Sequence, residues 1–179
     1  MSPDVKPSRV YIDVTNECPL RCLHCCTGSG IRGEDELELS EIIHLIDQVY
    51  DMHVTNVVFS GGEPMMRADL PVMLEHARSK GMNVTLLTSG ILVDGEWARL
   101  LTRLGIRAKV SLDGVSPETH DFLRGKGSFE KLLRAIECFH VSGFENLAVH
   151  FTIHRKNLSE LTKLEKFLPR LGIRNLMVG

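Results

Sequence analysis

The sequence lacks any apolar run long enough to cross a membrane as a helix, although it contains 179 residues. Its amino-terminal segment, Met1 to Arg9, is polar and lacks the apolar core of a secretory signal peptide. The formal net charge is only −2, so the charge balance indicates neither a nucleic-acid nor an anionic-membrane partner. These absences predict a cytoplasmic protein. With 43% apolar and 25% charged residues, the chain has the composition of a globular domain with a substantial core.

Cysteine is scarce and unevenly placed. The sequence has five cysteines, an odd number, and four of them lie between Cys18 and Cys26. This arrangement is a poor framework for disulfides, and clustered cysteines in a reducing compartment more often bind metal or carry out redox chemistry. Cys138 stands apart on a predicted helix, where we expect a small, buried apolar side chain.

Short β-branched and aliphatic runs alternate with longer helical patterns. The runs predict strands at Arg9–Thr15, Asn56–Ser60, Asn83–Thr88, Arg107–Leu112, Leu147–Ile153 and Arg174–Val178. The patterns between them predict helices at about Ser40–His53, Asp69–Lys80, Asp94–Leu104, Ser128–Ser142 and Ser159–Leu171, with a further short helix at Ser116–Leu123. Such alternation indicates an α/β fold with a parallel sheet and right-handed crossovers. An open doubly wound sheet and a barrel both fit, and both bind ligands at the carboxyl ends of their strands.

Glycines and small polar residues predict the helix ends. Left-handed ends are expected at Gly81, Gly105, Gly143 and Gly172. Amino-terminal caps are expected at Ser40, Asp69, Asp94, Ser128 and Ser159. The segment 101–107 closely matches 168–174, which indicates repeated β–α units. The chain stops directly after the sixth predicted strand, with no helix to cover it. We therefore expect residues 1–179 to be the core domain of a longer protein whose carboxyl-terminal segment is absent.

The cysteine loop follows the first predicted strand and has the sequence Cys-Pro-Leu-Arg-Cys-Leu-His-Cys from Cys18 to Cys25. Three thiolates so close together, without a matching fourth ligand, suit a [4Fe–4S] cluster with one iron open to another ligand. A zinc site would need a fourth ligand, and Cys26 is badly placed to supply it. A thioredoxin-like pair, Cys22 with Cys25, usually opens a helix, whereas glycines make the following segment irregular. Zinc binding and thiol–disulfide exchange remain open as alternatives.

Three other polar motifs also follow predicted strands. Gly61-Gly62-Glu63-Pro64 follows the second strand, where the glycines are expected to allow a ligand close to exposed backbone amides and Glu63 could pair with an amine. Thr88-Ser89-Gly90 follows the third strand and Ser111-Leu112-Asp113-Gly114 the fourth. Their hydroxyl and carboxylate groups could hold a ribose or a polar tail. Each motif could equally serve as an ordinary turn or helix cap.

A glycine-flanked arginine completes the set of candidate site residues. Arg124 precedes Gly125 and Gly127, and its planar guanidinium suits a ligand carboxylate. A solvated arginine in a flexible loop would have the same local sequence.

Taken together, these residues resemble the radical S-adenosylmethionine (SAM) superfamily along the whole chain. The cysteine spacing matches that family's signature, and Gly61-Gly62-Glu63-Pro64 stands where its second motif belongs. Ser111-Leu112-Asp113-Gly114, followed by His120-Asp121 and Arg124-Gly125, is similar to the SPASM/twitch branch. That branch contains peptide-modifying enzymes, including anaerobic sulfatase-maturing enzymes, and some haem-pathway enzymes are similar in the same region.

The resemblance implies a partial (β/α)6 barrel of the TIM type that ends at the sixth strand, with residues 1–179 as the radical SAM core domain. It implies that Cys18, Cys22 and Cys25 bind a [4Fe–4S] cluster whose free iron is chelated by SAM. It assigns cofactor contacts to His24, Gly61, Gly62, Glu63, Pro64, Thr88, Ser89, Ser111, Asp113 and Arg124. Glu63 is expected near the cofactor amine, Arg124 at its carboxylate, and His24 toward the adenine.

The implied reaction is reductive cleavage of SAM to methionine and a 5′-deoxyadenosyl radical, which takes a hydrogen atom from a substrate. A barrel interior would shield such a radical from water. The electron would come from a reductant such as flavodoxin or ferredoxin. The substrate is not defined by the sequence: a peptide and a haem-pathway intermediate both fit.

The sequence also departs from the branch. Only Cys138 lies beyond Cys26, so the chain cannot hold a second, auxiliary cluster. We expect Cys26 to lie beside the cluster site without binding it. His150, Thr152 and His154 on the fifth predicted strand are candidates to face the barrel interior and touch the substrate, although packed or solvated histidines are the simpler interpretation.

Overall fold

Six parallel strands lie in one sheet, in the order β1-β2-β3-β4-β5-β6, in the computed structural model, which describes residues 7–179. The strands are β1 (Arg9–Asp13), β2 (Asn56–Ser60), β3 (Asn83–Thr88), β4 (Arg107–Ser111), β5 (Leu147–Phe151) and β6 (Asn175–Val178). The helices are α1 (Leu39–Asp51), α2 (Leu70–Ser79), α3 (Gly95–Leu104), α4 (Pro117–Arg124), α5 (Ser128–Val141) and α6 (Leu164–Arg170). Short 3-10 helices at Pro64–Met66 and Leu158–Lys163 precede α2 and α6.

The strand order decides between the two predicted architectures. Each strand pairs with the strand before it in the chain, so every crossover steps in the same direction across the sheet. Right-handed crossovers that all step the same way place the helices on one face. A doubly wound sheet would reverse its strand order at a switch point, and the order found has no reversal. The sheet stays open, and the fold is the partial (β/α)6 barrel that the resemblance implied.

The core lies between the sheet and the helices. One row of side chains crosses five strands and is at most 6% exposed: Ile12, Phe59, Leu86, Ala108 and Leu147. Apolar side chains of the helices pack against that row, among them Ile46, Leu74, Leu101 and Leu132. Because strand side chains alternate between faces, the residues between these positions form the inner face of the partial barrel.

Most of the predicted helix ends are confirmed. Gly81, Gly105, Gly143 and Gly172 all have positive φ angles, of 76°, 61°, 70° and 65°. These values place them in the left-handed region that suits glycine at a helix end. The Asp94 carboxylate caps α3 by accepting hydrogen bonds from the backbone amides of Glu96 and Trp97, both at 2.9 Å. The short helix α4 begins at Pro117, as predicted for that segment.

Other predicted ends are wrong, because neighbouring carboxylates supply the bonds. Ser40 lies inside α1, whose amino terminus is held by a reciprocal capping box between Glu38 and Glu41. Ser128 is the first residue of α5, and Asp121 of the preceding helix accepts bonds from the amides of Gly127 and Phe129.

Further differences occur at β1, β5, α2 and α6. Asp69 does stand at the start of α2, but its carboxylate pairs with Arg67 instead of capping. Ser159 starts no α-helix; it lies in the second 3-10 helix. Strands β1 and β5 end two residues earlier than predicted, at Asp13 and Phe151. In the part of the chain described, no helix is long and apolar enough to span a membrane.

Candidate cofactor site

The cysteine loop connects β1 to α1 and is folded back on itself by backbone hydrogen bonds. The amide of Cys18 donates to the carbonyl of Gly30 at 3.1 Å, and the amide of Gly30 donates to the carbonyl of Asn16 at 2.8 Å. The amide of Leu23 donates to the carbonyl of Leu123 at 2.8 Å, which ties the loop to α4. The loop therefore has a defined path over the carboxyl edge of the sheet.

The three predicted ligand cysteines are free thiols on this loop. Cys18 and Cys22 are half-buried and Cys25 is exposed. Among residues 7–179, no three His, Cys, Asp or Glu side chains are grouped around a single metal position. In an iron–sulfur cubane each thiolate binds a different iron, so the ligand sulfurs need not converge on one point. Three free thiols on one ordered loop fit such a cluster.

The thiols differ in their surroundings. A hydrogen bond with Thr27, whose hydroxyl lies 3.4 Å from the sulfur, is the main reason that the pKa of Cys25 is lowered to about 7. Burial raises the pKa of both Cys18 and Cys22. Cys25 is therefore the thiol most readily deprotonated, and a bound metal would deprotonate all three.

The two remaining cysteines lie outside this set. Cys26 is exposed, and its expected place beside the cluster stays a prediction. Cys138 is half-buried and packs against the core from α5, close to the apolar role predicted for it.

The glycines of the second motif bring two parts of the chain together. Gly61 has a φ angle of 131°, and a Cβ atom there would lie 2.3 Å from the carbonyl oxygen of Thr15. A Cβ on Gly62 would lie 2.3 Å from the carbonyl oxygen of Glu17. The amides of Gly62 and Glu63 donate to those same two carbonyls at 2.7 and 2.8 Å. The expectation that this motif exposes its amides is thus wrong for these two, which hold the base of the cysteine loop.

Glu63 is fully buried at the center of a second contact group. Its Oε1 accepts a hydrogen bond from the Thr88 hydroxyl at 2.7 Å, and Oε2 accepts from the amide of Ser89 at 2.8 Å and from its hydroxyl. Burial raises the pKa of Glu63 above its ordinary value, although these bonds oppose the rise. Pro64 opens the adjoining 3-10 helix and is also buried. The predicted contact of Glu63 with the cofactor amine remains a prediction.

Asp113 joins the cysteine loop to the ends of β4 and β5. It is fully buried, with Oδ2 3.2 Å from Nε2 of His24 and in contact with Nε of Arg124. Its Oδ1 accepts a hydrogen bond from the amide of Thr152 at 2.9 Å. Burial alone would raise the pKa of Asp113, but the His24 hydrogen bond and the Arg124 charge lower it to about 2. Asp113 is therefore a stable anion at neutral pH.

Arg124 is buried and lies directly beside the cluster loop. Its Nη1 is 3.9 Å from the sulfur of Cys22, while its Nε contacts Asp113. The alternative of a solvated loop arginine is therefore wrong, because its guanidinium is enclosed. Ser111 is half-buried at the end of β4, two residues before Asp113, and pairs in register with His150. Contacts of Arg124 and Ser111 with a cofactor stay predictions.

His24 has one polar atom left over. Its Nε2 is used by Asp113, whereas its Nδ1 is buried and has no hydrogen-bond partner within residues 7–179. A buried polar atom of this kind is ordinarily satisfied by a protein group, a water or a ligand. The residue lies on the cysteine loop between Cys22 and Cys25, and its predicted contact with the adenine stays a prediction.

Several supporting residues were not predicted. His120 accepts a hydrogen bond from the amide of Asp113 at 3.1 Å, and burial lowers its pKa to about 4, so it is neutral. Asn157 is fully buried and donates to the carbonyls of Asp113 and Thr152 at 3.1 and 2.8 Å. Arg67 donates to the carbonyl of Val14 at 3.0 Å. His120 belongs to a quoted motif and Arg67 stands three residues after Pro64, but no local signal identifies Asn157.

Comparisons with known proteins agree with this geometry. Residues 12–168 match the Radical SAM superfamily. Fe-coproporphyrin III synthase of Methanosarcina barkeri (strain Fusaro / DSM 804) is 36% identical over 184 aligned positions, which cover 98% of this chain and 45% of that protein. PqqA peptide cyclase of Granulibacter bethesdensis (strain ATCC BAA-1260 / CGDNIH1) is 30% identical over 175 positions, covering 96% and 46%. The structure of native anSMEcpe with bound AdoMet superposes with a TM-score of 0.82 at 21% identity, covering 96% and 51%.

The chain belongs to the radical SAM superfamily, whose enzymes use a [4Fe–4S] cluster and SAM. The resemblance seen in the motifs is confirmed, including its likeness to the peptide-modifying branch. The chain spans about half the length of these curated relatives. Three free thiols beside a buried arginine, together with the unpartnered Nδ1 of His24, are compatible with a cluster and its ligand here.

Proposed function

We propose that this chain is the catalytic core of a radical SAM enzyme, with Cys18, Cys22 and Cys25 as the ligands of its cluster. The observation that carries the proposal is the contact of Arg124 with both Cys22 and Asp113 at the carboxyl edge of a partial barrel. It brings the three-cysteine loop and the β4 motif, which lie about ninety residues apart in the sequence, into one site. A cluster held by these cysteines would supply the electron for reductive cleavage of SAM and so allow hydrogen-atom abstraction from a substrate.

The protein's own residues hold this site in place. Asp113 fixes Arg124 and His24, and these two side chains would then face the cofactor with their remaining donors. Glu63 fixes Thr88 and Ser89 on the neighbouring strand end. Because these carboxylates are buried and bonded, the site needs little rearrangement to receive a ligand.

The two relatives suggest two substrate classes. The name of one refers to an iron coproporphyrin and that of the other to a peptide. We propose a substrate of one of these classes, a reductant such as flavodoxin or ferredoxin, and a cytoplasmic location in which the thiols stay reduced.

The test is anaerobic reconstitution with iron and sulfide, followed by addition of SAM and a strong reductant. We expect a brown protein that forms 5′-deoxyadenosine. Cys22→Ala should lose the cluster absorbance and the product, whereas Cys138→Ala, a matched change of a cysteine on α5, should keep both.

Two results would contradict the proposal. A colourless protein that contains zinc and takes up no iron would favour a zinc-stabilised binding module. Disulfide exchange that needs Cys22 and Cys25 but not Cys18, without formation of 5′-deoxyadenosine, would favour a thiol–disulfide oxidoreductase.

A further inference from the structure

The inner face of the partial barrel carries positive charge at the amino end of β4 to β6. A cavity of about 500 Å³ there is lined by Arg107, Lys109 and Arg174, together with Asn146, Ala148, Asn175, Leu176 and Met177. Within the described part of the chain, this lining contains three cations and no Asp or Glu.

Lys109 is the cation closest to the cofactor site. Ala108 and Val110 are fully buried in the helix-facing core, so Lys109 between them points to the inner face together with Arg107 and Ser111. In register, Lys109 lies between Leu87 of β3 and Ala148 of β5. Neither neighbour can neutralise an ammonium group.

The three cations are left without counter-charges. In residues 7–179, none of them takes part in an ion pair. The recorded polar contact of Lys109 is with the sulfur of Met177, 3.5 Å from its Nζ. A half-buried lysine without an anion among apolar neighbours is costly to desolvate, and an anionic ligand would offset that cost.

The position of the cavity suits a substrate. A strand rises about 3.3 Å per residue, so Lys109 lies roughly 7 Å from Ser111 along β4. Ser111, which is itself a predicted cofactor contact, pairs with His150 and lies between Lys109 and Asp113 along the chain. A molecule anchored at Lys109 could therefore extend along the inner face until one of its carbons reaches the cofactor.

We infer that the substrate carries carboxylate groups and that Lys109, with Arg107 and Arg174, binds them at this cavity. The inference rests on the proposed function, because it concerns the substrate of the same site. Carboxylates are favoured because lysine and arginine form charge-assisted hydrogen bonds with them. A porphyrin with acidic side chains and an acidic peptide would both provide such groups.

The test measures binding of two matched probe pairs to the cluster-loaded protein under anaerobic conditions. One pair is coproporphyrin III and its methyl ester, followed by fluorescence quenching. The other is a glutamate-containing peptide and the same peptide with glutamine, followed by calorimetry. We expect one carboxylate form to bind about tenfold or more tightly than its neutral partner, since charge-assisted bonds contribute this much. Which pair shows the difference identifies the source of the carboxylate.

Variants locate the binding site. Lys109→Gln should weaken the preferred probe about tenfold or more, while Lys109→Arg should retain most of the affinity because it keeps the charge. Lys131→Gln is the matched control, since Lys131 is an exposed lysine on α5, on the helix side of the sheet. It should bind the probe as the unmodified protein does.

Several outcomes would overturn the inference. These are equal binding of acid and neutral probes, no binding of either acid, and an affinity of Lys109→Gln equal to that of the unmodified protein. The comparison of acid with neutral probe uses the unmodified protein, so it stands even if a variant fails to fold. Formation of 5′-deoxyadenosine by the unmodified protein is measured alongside. Product without carboxylate-dependent binding would reject this inference alone, whereas no product would reject the proposed function.

Discussion

Two buried carboxylates at the same edge of the sheet are held in opposite ways. Glu63 accepts hydrogen bonds from neutral hydroxyl and amide groups, and burial raises its pKa. Asp113 is buried as deeply, yet His24 and Arg124 lower its pKa to about 2. The contrast shows that burial raises the pKa of a buried carboxyl, whereas a cationic partner can lower it. Asp113 is an anion at neutral pH and compensates the charge of the buried Arg124, whereas Glu63 accepts hydrogen bonds from uncharged donors.

The largest expected effect is that of Asp113→Ala. The change leaves the Arg124 guanidinium buried without a counter-charge, which should lower the free energy of unfolding by about 3–5 kcal/mol. Denaturant unfolding under anaerobic conditions measures the loss. The double variant Asp113→Ala with Arg124→Met should recover part of it, because it also removes the buried charge. A loss below about 1 kcal/mol for the single variant would mean that water reaches Arg124.

The pH dependence of stability should differ in sign between the two carboxyls. The pKa of Asp113 is about 2 in the folded protein, below the ordinary unfolded value of about 3.9, so its contribution is complete above about pH 4 and is lost as the pH falls toward about 2. A shift of this size corresponds to about 2–3 kcal/mol. The raised pKa of Glu63 acts oppositely: its contribution is complete below about pH 4.3 and declines as the pH rises.

We expect the free energy of unfolding to fall less steeply with decreasing pH in Asp113→Asn than in the unmodified protein. Glu63→Gln should remove the loss of stability that the raised pKa of Glu63 causes as the pH rises. If Asp113→Asn leaves this pH dependence unchanged, the ion pair with Arg124 does not control the loss of stability in acid.

Removing the Glu63 carboxyl should have a smaller effect. Glu63→Ala leaves the amide and hydroxyl of Ser89 and the hydroxyl of Thr88 without their acceptor, at a cost of about 1–3 kcal/mol. Glu63→Gln replaces one of the two acceptor oxygens by an NH2 group that faces the donors of Thr88 or Ser89, so it should also cost about 1–3 kcal/mol. Chemical unfolding of both variants provides the measurement. An unchanged free energy of unfolding in both variants would mean that these donors find other acceptors, which would contradict the role assigned to Glu63.

The smallest effect is expected at Asp94, an exposed carboxylate at the amino end of α3 that bonds to neither group. Its bonds to the first amides of α3 should make Asp94→Ala cost about 1 kcal/mol. Ser40→Ala is the matched control, since Ser40 was expected to cap α1 but does not. Thermal or chemical unfolding should show almost no change for Ser40→Ala, and a loss similar to that of Asp94→Ala would restore the cap predicted from sequence.

Local patterns predicted the strands and most of the helices because their signals lie within a few residues. Burial on alternate positions marks β4, and glycine marks the end of α3 at Gly105. The choice between a partial barrel and a doubly wound sheet depends on the order of the strands. The alternation of strands and helices along the sequence does not determine that order. The predicted helix from Ser159 failed at its start, where Glu160 instead accepts a bond from the amide of Val115 in a distant loop.

The candidate site divides in the same way. The ligand cysteines and the polar strand ends were identified from the sequence, because each motif is contiguous. The contacts of Asp113 were not predicted, because His24 and Asn157 reach it from loops about ninety and forty residues away. Likewise, Gly62 is needed because its backbone lies close to that of Glu17. The motif alone does not show whether its glycines make room for another chain segment or for a ligand.

The Nδ1 of His24 is a buried polar atom to which no protein group in residues 7–179 is bonded. A water or a bound molecule can satisfy such an atom. A ligand that binds the folded cysteine loop but not the unfolded chain stabilises the folded protein by mass action. Saturation with such a ligand should therefore protect this loop from proteolysis.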